Sequence, residues 1–598
     1  MSKESDLELL RRYEPVLRYT RGELFFPTDV RPYVEACSLW VEEGGKEREA
    51  VPAGELDLDR LAGADREFPG RWAHLRFVQE ASLRAEARRF RRTTRPVIPK
   101  HGRLAAVGVL GRLLDVLVKV SLLIRGAVPG GVAAAAATRY RDRVDDGGAV
   151  YYGRVVREGG YIALQYWFFY AMNDWRSIYG GVNDHEADWE KVMVYVVEEP
   201  DGSTRPLWVG ASSHEYRGDD LRRSWDDPSL HRINDHPVVY PGAGSHSHQL
   251  LPGDYLIQVD PAVLRGVVRL WRRMTERLFP GSSGMRHGIG VPFVDYARGD
   301  GIAVGPGGDR EWRPVLIDDD TPWVRGFRGL WGRDTKDFFD GERAPSGPRY
   351  ERDGNVRRSW SDPLEWVGLQ KVSATDEAAR TSLREHIADL EKRISQAEDE
   401  IAERRDRLRR LSAARVVLRR DAHSRERGSE YGEQIAEQER ELAELYRERV
   451  LIRDEMEEHQ EALASDTPLA MGPTEHLRAP HMPFSSGGQR PSRFLNIWAT
   501  LSTPLLIIAL GASLYFLRGS DVMPAMIGIV FIFATIDAFA RRKLWSFLTG
   551  VAILALVAAV IAGIIVAFVL NWRIAVLVPT GIVVAILLFV NIRDLVRK

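Results

Sequence analysis

The chain has 598 residues, 44% hydrophobic and 28% charged, with a formal net charge of -1. That length predicts several domains and excludes one small module, while the near-neutral charge excludes a generally basic nucleic-acid binder. The averages conceal a segregation into a mixed head, a charged middle and an apolar tail.

Residues 1–370 read as a β-rich head. Its tryptophans, glycines, prolines and short alternating runs predict strands over Tyr161–Ala171, Trp189–Glu198, Arg205–Ser212, His236–Tyr240, Asp254–Val259 and Pro314–Ile317. No strand–helix–strand rhythm is present, so a β-sandwich is expected rather than a doubly wound sheet. An insertion over about 81–140 interrupts this pattern. It opens on a basic cluster containing Arg88, Arg89, Arg91 and Arg92, candidates for contact with anionic lipid. It continues over 104–132 into an apolar helix broken by Arg112, Asp115 and Lys119, which either packs against the head or enters a membrane.

The chemistry concentrates in the stretch Asn183–Val194. A strand starting near Asp188 places Asp188 and Glu190 on the face that Val192 and Val194 share. Two carboxylates opening an apolar face need a cation, arginines or a shared proton. His185 lies just before them, Asp174 and His214 each follow a predicted strand, and His246 and His248 stand at i and i+2. The oxygen-rich set His185, Asp188, Glu190 and Asp174 suits a hard divalent cation such as Ca²⁺, Mg²⁺ or Mn²⁺, with His214, His246 and His248 beside a ligand. The other reading is a buried carboxylate network answered by Arg325 or Arg328, with His246 and His248 at the surface.

Residues 376–464 hold 24 acidic and 18 basic residues around an apolar seam through Leu383, Ile387, Leu390, Ile394, Ala397 and Ile401, which resumes from Ile435 to Leu463. Mixed signs make this a solvated face and not a nucleic-acid site. The seam predicts a helical coiled-coil hairpin, or a coiled coil between copies of the chain, with Arg404 as a defect. Residues 465–493, rich in Pro, Gly and Ser, read as a linker. Over 494–598, four apolar stretches (Phe494–Leu517, Val522–Ala540, Phe547–Leu570 and Ile574–Asn591) are expected to form a transmembrane region of four helices. Basic clusters around Arg541 and Arg597 place both termini on the cytoplasmic side of a bacterial-type plasma membrane. Asp537 lies one turn from Arg541 and reads as an interfacial carboxylate or an ion-path residue. The single cysteine, Cys37, excludes an intramolecular disulfide.

His185-Glu186-Ala187-Asp188-Trp189-Glu190, preceded by the aromatic strand Tyr166–Tyr170, resembles the His-x-Gly-Asp-Trp-Glu signature of the vacuolar protein sorting-associated protein 62 family. Ser212-Ser213-His214, Pro237–Tyr240 leading to Gly244-Ser245-His246, Gly329-Leu330-Trp331-Gly332 and Ser361–Trp366 extend that resemblance, as do Tyr13–Leu17 and Phe25-Phe26-Pro27. Ala187 stands where the family usually has glycine. The Asp-Trp-Glu core is also similar to the motif of necrosis- and ethylene-inducing-like proteins. That similarity implies a β-sandwich cytolysin fold with a divalent cation at His185, Asp188 and Glu190, Asp174 being a fourth candidate, and a glycolipid head group as ligand.

These features together predict a non-enzymatic, membrane-anchored module facing the cytoplasm, which uses a divalent cation to bind a lipid head group, a glycan or a protein. One alternative is a metal-assisted hydrolase of phosphoester or glycosidic bonds, although no Gly-rich phosphate loop or nucleophile elbow is present. The other is a membrane-perturbing effector acting through 104–132.

Overall fold

The computed structural model describes the chain except 1–4, 69–71, 79–107, 117–135, 175–184, 214–217, 260–290, 334–343, 419–424, 466–468, 470–482, 484–492 and 567–598, with scattered positions within 110–147 and 542–565 also left out. At its centre is a six-stranded sheet in the order β16-β5-β6-β7-β8-β9. These strands are Trp312–Leu316, Ala149–Glu158, Tyr161–Asn173, His185–Glu198, Thr204–Ala211 and Arg222–Ser224. Every residue of β6 is buried, and every residue of β7 except Glu198. Strands so enclosed must be covered on both faces, which is why they read as continuous apolar runs.

The two coverings are distinct. Even-numbered residues such as Leu164, Tyr166, Val192 and Val194 share a core with Leu17, Val239 and Val304. Those three belong to a second sheet built on β1 (Val16–Arg18), which pairs in parallel with β11 (His236–Pro241) and antiparallel with β15 (Ala303–Val304). Odd-numbered residues such as Trp167, Phe169, Met193 and Tyr195 share the other core with Leu39, Val41 and Leu75. These come from a three-stranded sheet, β3-β2-β4, over Lys46–Val51, Ser38–Glu43 and Trp72–Arg76. The head is therefore β-rich, as expected, but with a central sheet covered on both sides rather than a simple two-layer sandwich.

Of the expected insertion, Arg88, Arg89, Arg91 and Arg92 lie outside the described residues, as does most of 104–132. Its two described ends pack differently. Ala136, Ala137 and Tyr140 join the head core. Val109 joins an apolar cluster with Leu506 and Ala534.

Two long helices follow the head, α1 (Asp376–Leu418) and α2 (Arg425–Ala464). They run antiparallel within the chain: Arg380 bonds the carbonyls of Leu463 and Ser465, His386 faces Glu455, and Arg404 faces Glu441. The partner of the first seam is thus the chain's own second helix. Arg404, the defect in the seam, is held by Glu400 and Glu441.

Two helices among the described residues are long and apolar enough to cross a membrane, not four. These are α3 (Arg493–Phe516) and α4 (Val522–Ala540). Only 28% and 17% of their apolar windows are buried, with mean hydropathy of 1.8 and 2.1, so they are not core helices of the described fold. The expected third stretch is described only at scattered positions, and the fourth lies outside the described residues.

Asp537 lies at the meeting of the two apolar helices and the head insertion. It is 4% exposed and accepts hydrogen bonds from Arg112 Nη2 at 2.9 Å, Trp498 Nε1 at 3.2 Å, Arg541 Nε at 2.7 Å and the Val109 amide at 3.2 Å. Arg112 also donates to Ser502 at 2.8 Å and Thr503 at 3.3 Å. A charged residue of the head insertion is thereby matched by polar groups on both apolar helices, the arrangement required of ionisable groups withdrawn from water.

Candidate binding site

The motif strand β7 starts at His185, three residues earlier than its sequence suggests, and departs from simple alternation at Ala187. Ala187 is buried and adopts φ 59°, the left-handed conformation usually left to glycine. Its unusual backbone accommodates alanine where the resembled family has glycine. Before this point the face changes: Glu186 turns to the head core, where its carboxylate accepts the amides of Phe77, Val78 and Arg333. Burial nevertheless pushes the Glu186 carboxyl up, these hydrogen bonds opposing the shift. Trp189 packs its ring against Phe169, Trp323 and Trp331. Glu186 and Trp189 therefore hold the strand, while Asp188 and Glu190 face the opposite core.

Asp188 Oδ2 accepts from His246 Nδ1 at 3.0 Å and Asn173 Nδ2 at 3.2 Å. The other ring nitrogen of His246 lies 3.8 Å from Glu23 Oε1. The imidazole is fully buried and stacks on Tyr170, with centroids 3.8 Å apart and planes 5° apart. Burial opposes its charge, but the neighbouring carboxylates of Asp188 and Glu23 prevail and raise its pKa to about 9. Within the described fold the ring of His246 is thus the basic group paired with Asp188. Arg325 and Arg328, the expected arginines, instead approach Asp320 and Asp65.

Glu190 is bound by the Ser212 hydroxyl. His248 donates from Nδ1 to the Lys191 carbonyl at 3.2 Å, and burial depresses its pKa to about 3, so the ring is neutral and its buried Nε2 carries a lone pair. His185 likewise donates from Nδ1 to the Ala187 carbonyl at 2.7 Å, and its Nε2 has no hydrogen-bond partner among the described residues. His246 and His248 are thus buried, not surface histidines. Asp174 is brought to the same loop by its amide, which donates to the Gly244 carbonyl at 2.9 Å. His214 lies outside the described residues.

Among the described residues, no three His, Cys, Asp or Glu side chains of the head bring ligand atoms within 4.8 Å of one another. His185, Asp188, Glu190 and Asp174 therefore do not gather three at a time, and Asp188 and Glu190 are engaged by protein donors. Glu23 and Asn173 are the members that sequence reasoning missed, and Ser212 was noted only within a resembled stretch; their pairing is set by chain crossings and has no local signature.

The loop that delivers His246 depends on Gly242. A β-carbon there would lie 1.8 Å from Asp295 Oδ1 and 2.3 Å from Ser245 Oγ, and Ser245 itself donates to Asp295 at 2.6 Å. Gly242→Ala is expected to cost roughly 3 kcal/mol, the upper part of the usual overpacking range. A denaturant midpoint unchanged from the parent would refute this close packing. The resembled Gly329-Leu330-Trp331-Gly332 stretch has a similar basis, because β-carbons at Gly329 and Gly332 would strike the carbonyls of Ala73 at 2.4 Å and Glu186 at 2.0 Å.

No family model matches the chain, and no curated protein matches it either. Among solved structures it is similar to Necrosis and Ethylene inducing Protein 2 from the causal agent of cocoa's Witches Broom disease, at 22% identity over 18% of this chain and 47% of that one, with a TM-score of 0.15. It is also similar to NLPPya in complex with glucosamine, at 20% identity over 21% of this chain and 50% of that one, and in complex with mannosamine at 21% identity, each with a TM-score of 0.15. The chain spans about half the length of the solved chains it matches. The comparisons contain no counterpart of the vacuolar protein sorting-associated protein 62 family.

Proposed function

We propose that the chain is a membrane-associated binding module whose head takes a hydroxyl-rich, amine-bearing ligand, of the amino-sugar class, at the Asp188–His246 cluster. One observation supports this reading above others. Of the three described non-glycine residues with positive φ, Ala187 (59°), Asn234 (53°) and His246 (55°), one adjoins Asp188 and another is its partner. Such conformations cost about 1–3 kcal/mol each and cluster at ligand sites, where the surrounding structure enforces them. Asp188 is held by His246 and Asn173, Glu190 by Ser212 and Glu23 by the Gly244 amide, so the hydroxyl and ammonium groups of a ligand would bind by taking the place of these donors, with the buried Nε2 of His248 as a further acceptor. The apolar helices α3 and α4 would hold the head at the bilayer, on the cytoplasmic side.

The test is calorimetric titration of the full chain in detergent with glucosamine, mannosamine and uncharged glucose, each with and without Ca²⁺, Mg²⁺ or Mn²⁺. Saturable binding of an amino sugar is expected, at least tenfold weaker in Asp188→Asn, which keeps the shape of the side chain but removes its charge. Absence of saturation by any of the sugars, or equal affinity in Asp188→Asn, would sink the proposal.

A further inference from the structure

The two stalk helices bring together side chains that the seam does not use. Glu455 and His459 are four residues apart on α2, and so lie on one face. His386 reaches them from α1. Its Nε2 lies 3.3 Å from Glu455 Oε1, and His459 Nε2 lies 3.7 Å from the same oxygen. All three ligand atoms fall within 4.8 Å of one another, and the two imidazole rings have centroids 5.2 Å apart.

We infer that His386, Glu455 and His459 form a zinc site that staples α1 to α2, with a fourth position open to water. The separations support this directly. Four ligands at about 2.0–2.1 Å from a tetrahedral ion are roughly 3.3 Å from one another, so the observed spacings need adjustment only in exposed side chains. Two imidazoles and one carboxylate suit zinc, whereas Ca²⁺ and Mg²⁺ select oxygen donors. Nearby arginines are directed elsewhere: Arg449 and Arg453 approach Glu398, and Arg393 approaches Glu448. The backbone on both sides is held by the buried seam residues Ile387, Leu390 and Ile452. Side-chain exposures of 45%, 47% and 30% for His386, Glu455 and His459 leave room for an exchangeable ligand.

The position gives the ion a consequence. The site lies close to the open end of the hairpin, where Arg380 already binds the carbonyls of Leu463 and Ser465. A bound ion would join the end of the stalk entering from the head to the end leaving toward the apolar helices.

The experiment uses the full chain in detergent, without a histidine tag, titrated with Zn²⁺ by calorimetry and with Co²⁺ by visible absorption. One equivalent per chain is expected without a change in oligomeric mass, together with Co²⁺ absorption of tetrahedral strength. In His386→Ala, which is exposed, and His459→Ala, which is half-buried, the Zn²⁺ affinity should fall at least tenfold while helical circular dichroism is unchanged; His185, His246 and His248 remain as internal controls. Loss of less than tenfold in the double variant overturns the site, as does the absence of saturable binding. A mass increase on adding zinc also overturns it, because the ion would then bridge chains.

Discussion

In Asp188→Ala, the dependence of stability on pH between 6.5 and 9 that His246 contributes is expected to weaken markedly, because Glu23 alone is left to hold its charge. An imidazole in the unfolded chain loses its proton near 6.5, but His246 in the fold holds it to about 9. A pKa raised on folding stabilises fully below the unfolded value and ceases to do so as the pH rises through the folded one, a contribution of about 3 kcal/mol here. Without Asp188, burial is opposed by Glu23 alone, so the raised pKa falls back toward the unfolded value. Breaking such a pair costs about 3–5 kcal/mol, because the surviving partner stays buried. Denaturant midpoints from pH 6 to 9.5 in both proteins provide the check. The difference between the two curves reports His246 below about pH 8; above it Lys191, pushed down to about 8 by burial and the charge of Arg357 and itself supported by Asp188, adds an opposite slope. Parallel curves would exclude the Asp188–His246 pair as the source.

The second large effect is expected where the head insertion meets the apolar helices. Asp537→Ala removes the carboxylate that both Arg112 and Arg541 approach, whereas Arg112→Ala leaves the Arg541 contact in place. The first substitution should therefore be the more damaging, costing about 3–5 kcal/mol. The double variant Arg112→Ala/Asp537→Ala should recover part of that loss, because it leaves one fewer uncompensated charge. Thermal loss of the monodisperse species in detergent measures all three. Strictly additive effects would show that the two residues do not act as a pair.

The reach of sequence reasoning followed the range of the interactions. Strands β6, β7 and β8 were legible because Tyr161–Ala171, Trp189–Glu198 and Arg205–Ser212 carry dense apolar runs, and the seams of α1 and α2 were legible by period. The shared face of Asp188 and Glu190 with Val192 was also correct, since a period of two is a local property. The strand over Ala149–Glu158 was not foreseen, and neither was the second covering layer, whose short strands such as Lys46–Val51 are largely charged and exposed. Local pattern also could not show that Asp188 meets a histidine 58 positions later rather than the expected arginines. Arg112 read as an interruption in an apolar run because its partner, Asp537, lies 425 positions away.

The pairing of β1 with β11 and β15 has a consequence for the order of events during synthesis. Leu17 leaves the ribosome early, but its partners Val239 and Val304 follow more than two hundred residues later. Glu23, the acidic residue facing His246, waits on the same closure. At about 5–20 residues per second, the intervening chain takes roughly 15–60 s to appear. During that interval the apolar face of the nascent segment has no sheet to join, so the binding cluster is among the last parts of the head to be assembled. Substitutions that slow the docking of β1 should therefore reduce the yield of folded chain more than the stability of the chain already folded.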